Sequence, residues 1–355
     1  MNKIYKIGLT ALAGSLASIV GANAGALSIA GGSDITWISK DSNTTANLGE
    51  TGNPIGWKNN ITFTGAGELD NGISWTANAY NSDAQALTSS NISFDLGGMG
   101  SLLIDNGAGG AGLDALDDKA PTAWEETHGT GSDSGVVTVT GVHGSASLTY
   151  TTPADALPMG TKVRIGYTPR SDGGGLQADL GTSGGATGNG AGDEMDITIE
   201  VNPSDMVSVY AGYAAKETNG KQSGNADGTG DVEEGTYGVT ITAGAITAGI
   251  QQSYISNTNG GTASVGYYDN VNWGVAFNVN DQLSISYAEY ESSEENLGSV
   301  GATVHSGQTL EIDSLQIAYN MGGATLKIAD TSTSDNKYTA GSETDVMTVA
   351  VALAF

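Results

Sequence analysis

The sequence predicts an all-β fold, a 16-stranded antiparallel transmembrane β-barrel, on three observations. Segments in which apolar and polar residues alternate recur from Leu27 to Phe355, short turns trade places with long polar loops along the whole chain, and no apolar run after residue 24 reaches the 18 or more residues of a spanning helix. With helices excluded, a closed barrel is the remaining structure that leaves no backbone polar group unpaired in lipid.

The first residues, MNKIYKIGLTALAGSLASIVGANA, place Lys3 and Lys6 ahead of an apolar stretch from Ile7 to Val20 and a small-residue site at Ala22-Asn23-Ala24. That is the three-part layout of a secretory signal peptide. An anchoring helix is disfavoured because the run is short, is interrupted by Gly8, Gly14 and Ser15, and ends without basic flanks. Residues 1–24 are therefore expected to be a cleaved signal peptide and residues 25–355 a single barrel unit.

The chain has no cysteine, which excludes a disulfide framework, thiol catalysis and cysteine-ligated zinc. The formal charge of −27 becomes −29 once the two signal lysines are removed. Such an imbalance argues against nucleic-acid binding and makes cations the species drawn to the surface. Glycine is abundant, 54 of 355, but without a G-x-y period the chain is not collagen-like.

Period-two segments appear in order. In LSIAGGSDITWISK, Leu27, Ile29, Ile35 and Trp37 share one face while Asp34, Thr36 and Lys40 take the other. In GISWTANAY, Ile73, Trp75, Ala77 and Ala79 oppose Ser74, Thr76, Asn78 and Tyr80, and in TKVRIGY, Val163, Ile165 and Tyr167 oppose Lys162 and Arg164. In EMDITIEV, Met195, Ile197, Ile199 and Val201 oppose Asp196, Thr198 and Glu200. The last segment, DVMTVAVALAF, sets Met347, Val349, Val351, Leu353 and Phe355 against Thr348, Ala350, Ala352 and Ala354. An apolar face turned outward and a polar face turned inward is the transmembrane-barrel pattern, although a sandwich shows the same dyad. Trp57, Tyr213, Tyr267, Tyr287 and Tyr319 are candidates for the interfacial aromatic girdles.

The connections separate the two folds. Short turns are read at Leu69–Gly72, Gly97–Gly100, Pro153–Thr161, Asn202–Asp205, Ala243–Ala245, Asn280–Asp281 and Met321–Gly323. Between them lie polar loops at 41–55, 81–89, 107–142, 170–193, 217–234, 257–262, 293–309 and 334–343. Seven short turns and eight long loops in strict alternation require sixteen strands, with 263–280 long for one strand, and both ends of the chain on the short-turn side. Sixteen strands is the size class that leaves an aqueous channel.

The third loop is the longest, and within NGAGGAGLDALDDKAPTAWEETHGTGSDSG it carries Leu113, Ala115, Leu116 and Trp124, side chains that need something to pack against. With that loop's DALDDKAPTAWEE, the signal peptide, sixteen readable strands and the terminal Phe, the chain resembles the general diffusion porins of alphaproteobacteria. The match is specific only over residues 100–126 and at the C-terminus. The resemblance implies a barrel in the Gram-negative cell outer membrane that passes small hydrophilic solutes and ions, with the third loop folded into the pore as an eyelet and three barrels associated as a homotrimer. It implies acids on that loop, here Asp114, Asp117, Asp118, Glu125 and Glu126, facing basic residues of the wall. It also implies that the ending Val351, Leu353 and Phe355 is the signal read by the barrel assembly machinery.

The wall side departs from that family's arginine cluster, because residues 25–355 contain only two arginines and eight lysines. The inward candidates are Lys162, Arg164 and Lys327, with Lys58 and Lys40 near strand tops. If the acids dominate, a narrow ring of carboxylates gives cation preference with steep salt dependence. No cofactor is expected beyond loosely bound Ca²⁺ at loop carboxylates such as Asp117-Asp118, Glu125-Glu126 and Glu233-Glu234, none of which has EF-hand spacing. Outer-membrane lipid and lipopolysaccharide are the expected surroundings.

Three rival readings are weaker. An enzyme would need a catalytic constellation, yet His128, His143 and His305 all fall in or near loops, where a histidine is usually solvated, and neither G-x-S-x-G nor H-E-x-x-H occurs. A secreted acidic surface-layer protein or adhesin would not need the terminal Phe, and SDGGGLQADLGTSGGATGNGAGDE has β-roll composition without the repeat. A substrate-selective outer-membrane channel of the same fold remains an alternative.

Overall fold

The computed structural model describes residues 25–43, 53–82, 87–142, 146–169, 191–218, 232–256, 266–295 and 307–355. The signal-peptide reading and much of the long-loop sequence lie outside these residues. Sixteen strands follow one another: β1 (Ala26–Ser42), β2 (Ile55–Glu68), β3 (Ser74–Ser82), β4 (Leu87–Asp95), β5 (Ser101–Asn106), β6 (Ala146–Thr151), β7 (Lys162–Thr168), β8 (Ala191–Ser204), β9 (Val207–Thr218), β10 (Val232–Ala243), β11 (Ile246–Ser256), β12 (Tyr267–Asn278), β13 (Leu283–Glu295), β14 (Thr309–Asn320), β15 (Ala324–Ser334) and β16 (Glu343–Ala354). Each pairs antiparallel with its sequence neighbours and β16 pairs with β1, so the sheet closes as a barrel without an edge.

The strand ends fall within two residues of the sequence reading at most connections, and two places stand out. The turn read at Asn202–Asp205 lies at 205–206, because β8 runs on to Ser204 through a register irregularity after Val201. The long stretch 263–280 holds a strand of ordinary length, β12, and the preceding connection reaches 266.

The period-two pattern sorts the side chains as the alternation requires. Leu27, Ile29, Ile35 and Trp37 of β1, Met195, Ile197 and Ile199 of β8, and Met347 and Leu353 of β16 are exposed on the outer face. On the same strands Thr198, Val346, Thr348 and Ala350 are buried inside. Trp57, Tyr213, Tyr287 and Tyr319 also stand exposed, and Tyr267 stacks on the exposed Tyr254 with ring centroids 5.2 Å apart. At the long-loop end the outer face changes from apolar to acidic. Tyr287 there donates to Glu289 and Asp313, and Asp345 is paired in register with Asp41.

Closure places the two chain ends side by side. The β1–β16 register runs from Gly32↔Ala354 to Ser42↔Thr344, and beyond it Gly31 and Phe355 exchange backbone hydrogen bonds of 2.8 and 2.9 Å. The Phe355 ring lies over Gly31, where a Cβ would come within 2.5 Å of it. Glycine at 31 makes room for the terminal aromatic.

Candidate pore constriction

Residues 107–142 form a ribbon of two legs laid against the inner wall. The outgoing leg begins with a tight turn at Gly112–Leu116, whose first residues are set by Asp196 on β8: its Oδ2 accepts the Leu113 N–H at 2.9 Å. Farther along, Gln251 on β11 accepts the Lys119 N–H, Ser286 on β13 accepts that of Ala123, and Gln316 on β14 accepts those of Trp124 and Glu125. The Trp124 indole donates to the Ile328 carbonyl on β15. At the far end Thr348 on β16 donates to the Thr130 carbonyl and Lys40 on β1 donates to that of Ser132.

The returning leg goes back the same way. Lys337 pairs with Asp133 at 2.7 Å, Asn270 on β12 donates to the Val137 carbonyl, and Glu234 on β10 accepts the Thr140 and Gly141 N–H groups. The Val142 N–H returns to Asp196 Oδ2 at 3.2 Å, so one carboxylate clamps both legs. Leu113 and Val139 pack with Ala214 and Ile255 in a small apolar cluster between ribbon and wall. The apolar residues that distinguish this loop in the sequence thus sit on the inner face of a barrel whose other inward positions are mostly polar.

These attachments run from β8 round to β1, so β2 to β4 face the ribbon across the lumen. Beside Lys58 on β2, their inward side chains include a neutral ladder in which Thr64 donates to Asn78, Asn78 to Asn91, and Asn91 to Tyr80. Toward the short turns, a recess of about 700 Å³ opens between the ribbon and β7 to β12, lined among others by Asp118, Lys119, Arg164, Glu200 and Tyr210.

The acids and bases singled out in the sequence fall into separate groups. Asp114 accepts the Gly110 N–H inside the loop's own turn. Asp117 and Asp118 lie near Lys119, which the sequence reading passed over although it sits between them and the alanine-proline step. Lys119 faces Lys162, Arg164 and Glu200, and Arg164 is ion-paired with Glu200. Glu125 lies instead near Lys327, Lys58 and Asp34, with Lys327 Nζ 5.4 Å from the Trp124 ring centroid. Lys40 stands apart from both groups, at Ser132. The basic residues therefore do not form one ladder: Lys162 and Arg164 sit at one end of the outgoing leg, Lys58 and Lys327 at the other.

Burial is the leading influence on the loop's titratable groups. It raises the carboxyl of Asp117, with help from Asp114, and pushes Asp118 up to about 7. Glu126 is pushed up to about 8, by burial first and then by the neighbouring Asp118, Asp117 and Glu125. Glu125 is also raised by burial, against the opposing pull of Lys327 and Lys58. Burial lowers the amine of Lys119 and drives the His128 imidazole down to about 4.

His128 is not a solvated loop residue. Its side chain is 19 % exposed and its ring meets Tyr290 edge-on at 5.3 Å between centroids. Its two nitrogens point at two carboxylates, Nδ1 at Asp118 Oδ2 (3.9 Å) and Nε2 at Glu126 Oε2 (3.3 Å). The sequence carried no spacing signal for this trio, because the approach of residue 118 to residue 128 depends on how the ribbon turns against β12 and β14.

No protein-family model matches the sequence, and no curated protein does. Solved structures match along nearly the whole chain. The chain of a Salmonella typhi OmpF complex with daunomycin is 14 % identical with a TM-score of 0.65, covering 95 % of this chain and 99 % of that one. An anion-selective porin from Comamonas acidovorans is 12 % identical with a TM-score of 0.59, covering 93 % and 99 %. A mutant of Rh. blastica porin is 14 % identical with a TM-score of 0.56, covering 93 % and 100 %. At these identities the likeness establishes the fold, a sixteen-stranded barrel of porin type, and leaves selectivity to the side chains.

Proposed function

We propose that the chain is an outer-membrane porin of the general diffusion type, a homotrimer of water-filled barrels through which small hydrophilic solutes and ions cross passively, with cations preferred. It catalyses no reaction. The observation that carries the reading is the uneven charge across the lumen: Asp114, Asp117 and Glu125 lie on the ribbon, while the wall opposite offers Lys58 beside the neutral ladder of Thr64, Asn78, Asn91 and Tyr80. Carboxylates in a narrowed passage concentrate cations and repel anions, more strongly at low salt than at high. The anion-selective Comamonas barrel carries the same fold, so this local charge and not the architecture has to set the preference.

The acidic outer belt, including Glu289, Asp313 and Asp345, meets lipopolysaccharide through bridging divalent cations, and Phe355 is presented to the barrel assembly machinery. The decisive experiment is the reversal potential of single channels in a planar bilayer under a salt gradient. The native protein is expected to reverse on the cation side, and Asp114→Asn with Asp117→Asn and Glu125→Gln to move the potential toward zero. An anion-side reversal for the native channel would defeat the charge argument.

A further inference from the structure

Asp118, Glu126 and His128 each offer a donor atom such that the three lie within 4.8 Å of one another. Clustered acids alone are common on a chain of this charge, but two features set this group apart. The Asp118 side chain is 3 % exposed, and among the described residues its Oδ2 has no hydrogen-bond partner; neither does His128 Nδ1, which faces it at 3.9 Å. A buried carboxylate oxygen and a buried imidazole nitrogen, both unsatisfied and turned toward each other, lack a third party that would accept lone pairs from both.

The surroundings hold the carboxylate in that orientation. Asp118 Oδ1 accepts the Ala120 N–H and the Asn272 Nδ2–H, each at 3.0 Å, which leaves Oδ2 to point at the imidazole. Asn272 is itself fixed, since its Oδ1 accepts from the Thr127 hydroxyl at 3.4 Å. Hydrogen-bonded outer partners of this kind orient ligands in protein metal sites. Glu126, with 42 % of its side chain exposed, is the member that opens to the lumen and gives an ion a way in.

We infer that Asp118, Glu126 and His128 form a binding site for one divalent transition-metal ion of the zinc class. An imidazole in the donor set selects zinc, nickel or copper, whereas calcium and magnesium take oxygen donors throughout. Three protein ligands with a fourth position left to water is a common zinc arrangement, and its bonds of about 2.1 Å set donors roughly 3.4 Å apart. Asp118 Oδ2 and His128 Nδ1, 3.9 Å apart, are near that spacing, and Glu126, which now faces Nε2, completes the set by turning its side chain to the Nδ1 side; Glu126 and His128 are both on the ribbon and neither is in a strand.

The test is equilibrium dialysis of the detergent-extracted, chelator-stripped protein against Zn²⁺. One tightly held Zn²⁺ per chain is expected in the native protein and in His143→Gln with His305→Gln, and a loss of at least about tenfold in affinity in His128→Gln, the size usual for damage to a metal site. Equal binding by native protein and His128→Gln, or displacement of Zn²⁺ by an equal concentration of Ca²⁺, would overturn the assignment. Because His128→Gln can disturb the ribbon, Co²⁺ is used as a second probe on the native chain. A visible spectrum typical of a low-coordinate site with a nitrogen donor is expected, and one indistinguishable from hydrated Co²⁺ would also overturn it.

Discussion

Gln316 on β14 holds Glu125 by both ends of its amide: the side-chain oxygen accepts the Glu125 N–H at 3.1 Å, and the side-chain nitrogen donates to the Glu125 carbonyl at 2.9 Å. The same oxygen takes the Trp124 N–H at 3.2 Å, and Gln316 is fully buried. Gln316→Leu keeps approximate volume but strands two N–H groups and a carbonyl, each worth about 1–3 kcal/mol when buried without a partner. The expected outcome is a barrel that still forms but has a looser ribbon. Protease cleavage within 107–142 and low-frequency current noise should both rise; unchanged values of both would show that the clamp is not what holds this leg.

Arg164 and Glu200 form an ion pair beside Lys119 at the edge of the recess. Arg164→Gln removes a positive charge and leaves a carboxylate facing the lumen. Cation preference should therefore rise, opposite in sign to the effect of removing loop acids. The shift should be larger at 0.1 M salt, where the screening length is about 10 Å, than at 1 M, where it is about 3 Å. Reversal potentials at the two salt levels check both the sign and the trend.

Gly31→Val places a side chain where the Phe355 ring lies, with Asn60 O already 3.1 Å from the Cβ position. The terminal ring can swing away, so the sheet should survive while the end of β16 is presented differently. Folding into lipid vesicles, followed by the mobility shift between heated and unheated samples, should be slower than for the native chain. Phe355→Ala should slow it comparably, and a native rate in both would detach the terminal aromatic from assembly.

Asn272 donates to Asp118 Oδ1 at 3.0 Å and is not itself a candidate metal donor. Asn272→Ala should weaken Zn²⁺ binding roughly tenfold, the lower end of what outer partners contribute. Adding Zn²⁺ to native channels should reduce cation current and a chelator should restore it, because a dication held beside the passage repels other cations. Current traces before and after chelation measure this directly.

Much of the wall was readable because its periodicity is local. The face taken by Lys162, Arg164 and Lys327 follows from counting residues in their strands, and the strand number follows from counting turns. What the pattern cannot carry is what an inward residue meets. Gln251, Asn270, Ser286 and Gln316 look in sequence like any water-facing position, yet they grip the ribbon, since the partner lies 132 to 191 residues away and is chosen by the curvature of the sheet. His128 reads in sequence as a solvated loop histidine for the same reason: its neighbours Asp118, Glu126 and Tyr290 come together only once the loop is laid on the wall.

The wall grips the ribbon mostly by its main chain: the N–H groups of Leu113, Lys119, Ala123, Glu125 and Gly141 and the carbonyls of Leu116, Thr130, Ser132 and Val137. Main-chain groups are common to all residues except for proline's missing N–H, so the fastening is indifferent to which side chains the ribbon displays. A lineage carrying this barrel can thus exchange one set of displayed charges for another by single substitutions without re-inventing the scaffold. The same property makes the ribbon a cassette for engineering, in which filters are swapped while the mount is left alone.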